Sequence, residues 1–392
     1  MPTFYNFRQN GVDYSFDDVF IPADLFRDGN LWTWGEAFSG RLGEASFTDK
    51  LTPVTTFSGG INWKQLISGS QHIAAIKTDG TLWIWGESSS GRLGTGNISV
   101  DTSTPATTFA GGTDWKQVSA AVQHTAAIKT DGTLWIWGTP TYGKLGDSVL
   151  TTTKSTPVTT FAGGTNWKQV SCGQYFTSAI KTDGTLWTWG AGGYLGNADT
   201  TNRSTPVTTF AGGNNWKQVS SGGFHVAAIK TDGTLWTWGF AGGAGYLGNT
   251  ETSNQTRSTP ITTFAGGTNW KQVNVGSNNV AAIKTDGTLW TWGIGSSGQL
   301  GNADTTNRST PVTTFAGGNN WKQVSSGGIH TAAIKADGTL WIWGNEFTTG
   351  NGNNNPTSIS TPITTFAGRT NWRQVSCGDS HTAAVNYNDL LI

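Results

Sequence analysis

Net charge, sulfur and long apolar runs are all scarce in this 392-residue chain, and each scarcity removes a class of function. Charged residues make up 12% of the sequence, 24 basic against 24 acidic. So balanced a chain sets up no long-range field to draw it onto nucleic acid or an anionic membrane surface, and neither partner is expected. No apolar stretch approaches the ~18 residues of a membrane span, and residues 1–10 lack the apolar core of a secretory signal. The expectation is a soluble chain outside the general secretory route. Cysteine occurs only at Cys172 and Cys377, both in the slot Gln-Val-Ser-Cys-Gly of non-adjacent copies of a repeat. Around a ring such positions lie farther apart than the ~7 Å between Cα atoms that a disulfide tolerates, so both read as free, buried thiols filling small spaces.

What the chain has in abundance is one sentence written seven times. Trp-x-Trp-Gly begins at Trp32, Trp83, Trp135, Trp187, Trp236, Trp290 and Trp341, at steps of 51, 52, 52, 49, 54 and 51 residues. A fixed period of this size marks a repeat fold whose units are each too small to bury their own apolar face. Within a unit the period is two. In Thr81 to Gly86 the tryptophans share one face of a strand and the aliphatics the other. The preceding Thr-Asp-Gly is a tight-turn signal that folds His72 to Lys77 and Thr81 to Gly86 into a hairpin. Further short strands are predicted at Pro53 to Phe57 and Trp63 to Ser68. Four strands per unit, apolar on both faces, make one blade of a β-propeller packed between two neighbours. Three tryptophans per unit account for all 21 and are read as interblade packing rather than a sugar platform.

The ends predict closure. Leu31 to Gly35 has no His-x-Ala-Ala strand before it, and His381 to Asn386 has no Trp-x-Trp-Gly strand after it. Pairing these two would close an all-β, seven-bladed propeller over residues 31–392 and remove its open edges. Residues 1–30 form a leader with seven apolar side chains between Tyr14 and Phe26. It either packs on the ring itself or serves as a docking arm, with Tyr14, Phe16 and Phe20 as its candidate anchors.

The stretch Val219 to Gly239, followed by Gly245-Tyr246-Leu247-Gly248, resembles the repeat of the family named after the regulator of chromosome condensation (RCC1). The resemblance recurs seven times across residues 31–389. There are departures: the last Gly-x-Leu-Gly becomes Thr349-Gly350-Asn351-Gly352, and the His slot holds Phe176 and Asn279. Leu195 to Gly223 matches Leu300 to Gly328 at all 29 positions, which points to recent duplication and to repeat positions that serve the scaffold.

Catalytic and metal chemistry find little support. His72, His124, His225, His330 and His381 share one slot and are read as partly buried rings bonding loop backbone, because no further ligand stands at metal spacing. The Asp of each Thr-Asp-Gly stabilises its turn. The Gly-rich loops lack the Lys and the strand-to-helix context of a phosphate cradle. No enzyme, cofactor or metal is expected.

Recognition is expected where the units differ, in the loops between Trp-Gly and Ser-Thr-Pro. The x of Gly-x-Leu-Gly reads Arg41, Arg92, Lys144, Tyr194, Tyr246 and Gln299, a basic arc on three blades followed by an aromatic arc on two. These side chains are expected to be solvated loop groups without a partner, the alternative being a surface on which a partner docks. The main functional expectation is a non-enzymatic binding or structural propeller in a virion, such as a phage tail, baseplate or capsid decoration. Its partners would be other virion or assembly proteins through the leader, and a host receptor or glycan through the loops. Asn-Gly-Val-Asp with Phe soon after resembles leaders of bacteriophage structural proteins. The alternative, implied by the resemblance to the family's namesake, is guanine-nucleotide exchange on a small GTPase or a chromatin-associated role, in the cytoplasm rather than a virion. Against it, the repeat steps leave no room for the namesake's inserted wedge, and residues 1–30 set Arg8 and Arg27 against five aspartates.

Overall fold

A computed structural model describes residues 7–9, 12–14, 29–57, 60, 62–353, 357–365 and 368–387. Seven four-stranded antiparallel sheets stand around a common axis. Blade one runs outward through Trp63–Ser68, His72–Lys77, Leu82–Gly86 and Thr102–Thr107. Blades two to six repeat this order from Trp115, Trp167, Trp216, Trp270 and Trp321. The fourth strand starts three residues and ends two residues earlier than the sequence suggests: Lys50–Thr55 replaces the expected Pro53 to Phe57. Lys50 pairs with Gly35, and the strand ends where the Thr56 N–H turns to bond the Leu31 carbonyl.

Blade seven is the clasp. Trp372–Cys377 and His381–Asn386 supply its inner half, and Leu31–Gly35 and Lys50–Thr55 its outer half. Trp32 stands opposite Ala384 and Trp34 opposite Thr382, and the Trp32 indole donates to Asn386 Oδ1 at 3.0 Å. The incoming chain passes so close that a Cβ on Gly29 would sit 1.4 Å from the Asn386 carbonyl oxygen, so only glycine fits there. In the leader, Phe7–Gln9 pairs with Val12–Tyr14 as a small hairpin. Phe16 and Phe20 lie outside the described residues.

Local chemistry explains the repeated words. In the Thr-Asp-Gly-Thr turn, Asp79 Oδ1 accepts from the Thr81 N–H and hydroxyl at 2.9 and 2.7 Å, and Thr81 Oγ1 then accepts the Trp83 indole at 2.8 Å. Trp63 meets Trp83 and Trp85 with 6.3 Å between ring centroids in each pair, and Lys77 Nζ sits 4.8 and 4.3 Å from the Trp63 and Trp83 rings. The second strand of every blade but the third carries a fully buried Ala-Ala pair, and the first of the two, as Ala74, is small enough for the next blade's Trp115 and Trp137 to close over it.

The axis is lined by the innermost strands, and there the glutamine of Asn-Trp-Lys-Gln does the work of a missing sheet. Gln169 Nε2 donates to the Val219 carbonyl at 2.9 Å while its Oε1 accepts the Val219 N–H at 3.1 Å. Gln117 treats Val170 the same way, Gln218 treats Val273 and Gln323 treats Val375. Gln374 closes the circle on Leu66. One residue pair further along, the Ser119, Ser220, Ser325 and Ser376 hydroxyls accept backbone N–H groups of Cys172, Val275, Cys377 and Ser68.

Each of these glutamines therefore mimics a peptide across a gap that no backbone ladder spans. Gln169→Ala should strand the buried Val219 N–H and carbonyl and cost about 1–3 kcal/mol, read as a lower urea midpoint. An unchanged midpoint would show that the girdle is dispensable.

Candidate functional site

Strands alternate in direction, so the first-to-second and third-to-fourth loops of every blade emerge at the same end of the ring. There the axial channel opens into a mouth of about 200 Å³, walled by the Ser-Gly and Cys-Gly corners of the innermost strands. Its one charged lining residue is Asp379. This carboxylate accepts from the Ser70 hydroxyl of blade one and, at 3.1 Å, from the Ser277 hydroxyl of blade five, bracing three blades across the opening.

The five histidines lie just outside this mouth, and they are fully buried rather than partly so. Their bonds also differ from the expected contact with loop backbone. His72 Nε2 meets Thr125 Oγ1 of the next blade at 2.8 Å, His124 meets Thr177 at 2.9 Å and His330 meets Thr382 at 2.8 Å. Thr125 and Thr177 spend their own protons on the carbonyls of Arg92 and Lys144. Each must then accept, so His72 and His124 carry the proton on Nε2 and leave Nδ1 bare. Where the next blade offers Val280 or Ile73 in place of threonine, His225 and His381 find no partner at either nitrogen among the described residues. Burial holds the His225 and His330 rings down at about 3. Burial first, then nearby Arg92, Lys144 and Arg41, pushes His72, His124 and His381 well below the ordinary range. Among the described residues no three His, Cys, Asp or Glu side chains gather as a metal set.

The x residue of Gly-x-Leu-Gly is the second correction. Arg41 and Arg92 are 3% exposed, Lys144 is 0% and Tyr246 is 8%; of the basic and aromatic arcs only Tyr194 keeps a half-open surface. The backbone explains it. The carbonyl of x accepts the next blade's indole: Arg41 takes Trp85 at 3.0 Å, Arg92 takes Trp137 at 2.8 Å, Lys144 takes Trp189 at 2.9 Å and Tyr246 takes Trp292 at 3.0 Å. So anchored, the side chain lies over the His slot of its own blade, as Tyr246 stacks on His225 at 5.3 Å and Tyr194 on Phe176 at 5.7 Å.

The three cations differ in what neutralises them. Arg41 binds Glu36 at 3.0 Å and Arg92 binds Glu87 at 2.9 Å, each five residues upstream. In blade two that upstream position is Thr139. Lys144 Nζ reaches only Gln123 Oε1 at 3.2 Å and the Gln174 carbonyl at 3.4 Å, with the Tyr175 ring 6.0 Å away, and no carboxylate pairs with it among the described residues. Burial pulls its ammonium down to about 8.

Sequence reasoning missed the neighbours of Lys144. Tyr142, Tyr175, Phe224 and Phe240 join Tyr194 and Tyr246 in a run of aromatic contacts over blades two to four. The signal was present: the residue before the His slot is Tyr175 and Phe224 in blades three and four, but Gln, Asn, Ile or Ser elsewhere.

Comparison with known proteins places this geometry. The RCC1-like domain model matches residues 23–319, and the regulator of chromosome condensation (RCC1) repeat model matches residues 337–385. The ultraviolet-B receptor UVR8 of Arabidopsis thaliana is 30% identical over 319 residues, which are 80% of this chain and 60% of that protein. Human E3 ubiquitin-protein ligase HERC2 is 27% identical over 91% of this chain, but the match spans 6% of HERC2. The chain thus spans only part of these relatives. Among solved structures, human WBSCR16 superposes with a TM-score of 0.78 at 20% identity, covering 92% of this chain and all of that one. Yeast RCC1 (Prp20), solved with Kap60, gives 0.79 at 18% identity over 92% of this chain and 89% of that one.

Two predictions follow from the buried charges. A histidine whose folded pKa is depressed contributes stability that is full above its unfolded value near 6.5 and is lost as pH falls below it. At pH 5 the unfolded chain should take up about five more protons than the folded one, destabilising the ring by up to ~7 kcal/mol per pH unit in that window. Proton uptake on unfolding measures this directly, and a value near zero would refute the buried, neutral assignment. Lys144 follows the same rule in a higher pH window. Its charge costs the folded state below pH 8, and stability rises between pH 8 and about 10.5 as the folded amine gives up its proton first. Lys144→Met should therefore stabilise the chain at pH 7 by about 1–3 kcal/mol, with the gain fading by pH ~10.5; a loss of stability at pH 7 would contradict this.

Proposed function

Because this chain belongs to the RCC1-like domain family, we propose that it acts as a protein-binding, regulatory propeller whose loop end, around the axial mouth, carries recognition. One observation carries the reading. Most recurring side chains that could do chemistry are occupied in the scaffold: three of the five histidines bond threonine, indole bonds carbonyl, glutamine bonds peptide, and aspartate bonds its own turn, while His225 and His381 are fully buried. What remains free to differ lies in the loops, the usual place of binding on a rigid scaffold. The matched relatives include a plant receptor and a human ubiquitin-protein ligase, which favours a regulatory role over a part in a phage particle. Among solved relatives, yeast RCC1 is held by Kap60, and Prp20p was characterised for binding Gsp1p and histones. Exchange activity and histone binding are the finer reading.

A photo-crosslinking residue in place of exposed Tyr142 should trap a discrete protein in native cells, identified by mass spectrometry. Trapping from the rim position of Phe109 with none from Tyr142 would move recognition off the loop end. Faster GDP release from a small GTPase on adding the pure chain would establish exchange; unchanged release with a trapped protein would leave a binding module.

A further inference from the structure

The loop end of blades two to four differs from the rest of the ring in two ways that act at the same place. The first is a continuous aromatic strip. Tyr142 contacts Tyr175 at 5.4 Å, Tyr175 contacts Phe224 at 5.8 Å, and Phe224 contacts Tyr194 at 6.1 Å and Phe240 at 6.4 Å. Tyr142 is 44% exposed and the other four are half-buried. Glycine pairs at 192–193, 222–223 and 242–243 lie close in sequence to Tyr194, Phe224 and Phe240. Rigid tyrosines among small residues give large contact area at low entropic cost, the composition of binding loops in general.

The second is Lys144. Its counterparts in the two preceding blades are neutralised by Glu36 and Glu87, whereas Lys144 lies 6.0 Å from the Tyr175 ring of the strip with no carboxylate partner among the described residues. An uncompensated ammonium beneath a surface of low polarity favours an occupant that supplies the missing negative charge.

We propose that this strip, with Lys144 beneath it, is the docking surface for an extended segment of another protein that carries a carboxylate beside large apolar side chains. The inference rests on the protein-binding reading above and specifies its site and chemistry. Ring geometry selects protein over carbohydrate. Tyr142 and Tyr175 stand at 86°, Tyr194 and Phe224 at 63°, and Phe224 and Phe240 at 70°. Such edge-to-face rings form a corrugated surface that receives side chains, not the run of coplanar faces on which successive sugar rings stack.

Random peptides of roughly 12 residues displayed on phage, selected against the full chain and then synthesised for titration, test it. Enriched peptides should combine Asp or Glu with Phe, Leu or Trp. Phe224→Ala should weaken them about 10-fold, and the exposed variant Tyr142→Ala, which spares the fold, about 5-fold. Lys144→Gln should weaken them about 5-fold at low salt and much less at about 0.5 M salt, whereas Phe109→Ala on the far rim should leave affinity unchanged. Peptides that bind Tyr142→Ala and Phe224→Ala as well as the native chain would overturn the proposal and leave the protein-binding reading standing. Enriched peptides without acidic residues, unaffected by Lys144→Gln, would overturn its charge requirement. A library that yields no binder, or binding of sialyllactose or a hyaluronan tetrasaccharide in place of peptides, would overturn it as well.

Discussion

Adjacent blades of this ring share no backbone ladder, only single backbone bonds such as the Trp115 N–H to the Gly80 carbonyl and the Ser70 N–H to the Ala121 carbonyl, so the other polar groups that face the gap must be met by side chains. Burying such a group unmet costs more than an ordinary hydrogen bond returns. The sequence answers with three bridges that recur from blade to blade at different radii. Glutamine copies a peptide at the axis, a threonine hydroxyl meets histidine at the loop end, and an indole N–H reaches the carbonyl of Gly-x-Leu-Gly farther out. The recurrence of Trp and Gln in all seven blades and of Gly-x in six is thus a solution to polar satisfaction as much as to apolar packing.

The bridges make certain positions interdependent. Because the x carbonyl must stay in the gap, its side chain is fixed over the His slot of its own blade, and the two slots match in chemistry. His124 lies with Lys144 and His72 with Arg92, where the neutral imidazole is kept neutral partly by the cation above it. Phe176 lies with Tyr194. Asn279 takes over the histidine's bond by donating to Thr331 at 3.2 Å, and the same threonine bonds the Gln299 carbonyl. The departures at Phe176 and Asn279 are therefore compatible local sets rather than losses.

Much of this was legible in the sequence because period and pattern are local. The spacing of Trp-x-Trp-Gly gave the blade count, strict alternation gave the strands, and the orphan halves at Leu31 and His381 gave the clasp, which the pairing of Trp34 with Thr382 realises. The fourth strand begins before its expected start at Pro53, because Lys50 already pairs with Gly35, a contact with no local signature. The candidate site was less legible. Arg41, Arg92 and Lys144 sit in a Gly-rich loop, a context that reads as exposed, and nothing local reveals that their carbonyls are claimed by tryptophans some 44 to 45 residues away. The aromatic strip likewise joins Tyr142, Tyr175 and Phe224 from three blades, a proximity that only ring closure creates.

A repeat scaffold that spends its recurring residues on cohesion can acquire recognition only by departing from the repeat, and the kind of departure matters. Exchanging one bonded set for another, as at Asn279, leaves the surface silent. Removing one member of a set leaves a force unbalanced. Thr139 stands where Glu36 and Glu87 stand in the preceding blades, and the buried cation it fails to neutralise persists at a cost in stability. The same blade gains Tyr142 where its predecessors carry Ser39 and Ser90, in the same left-handed conformation, with φ of 64° against 58° and 66°. The backbone was already built to hold a residue there, so a large side chain could be placed outward without rebuilding the loop. An unbalanced charge and a new aromatic thus arise within six residues of one loop, on a frame that does not change, and that coincidence separates this sector from the rest of the ring.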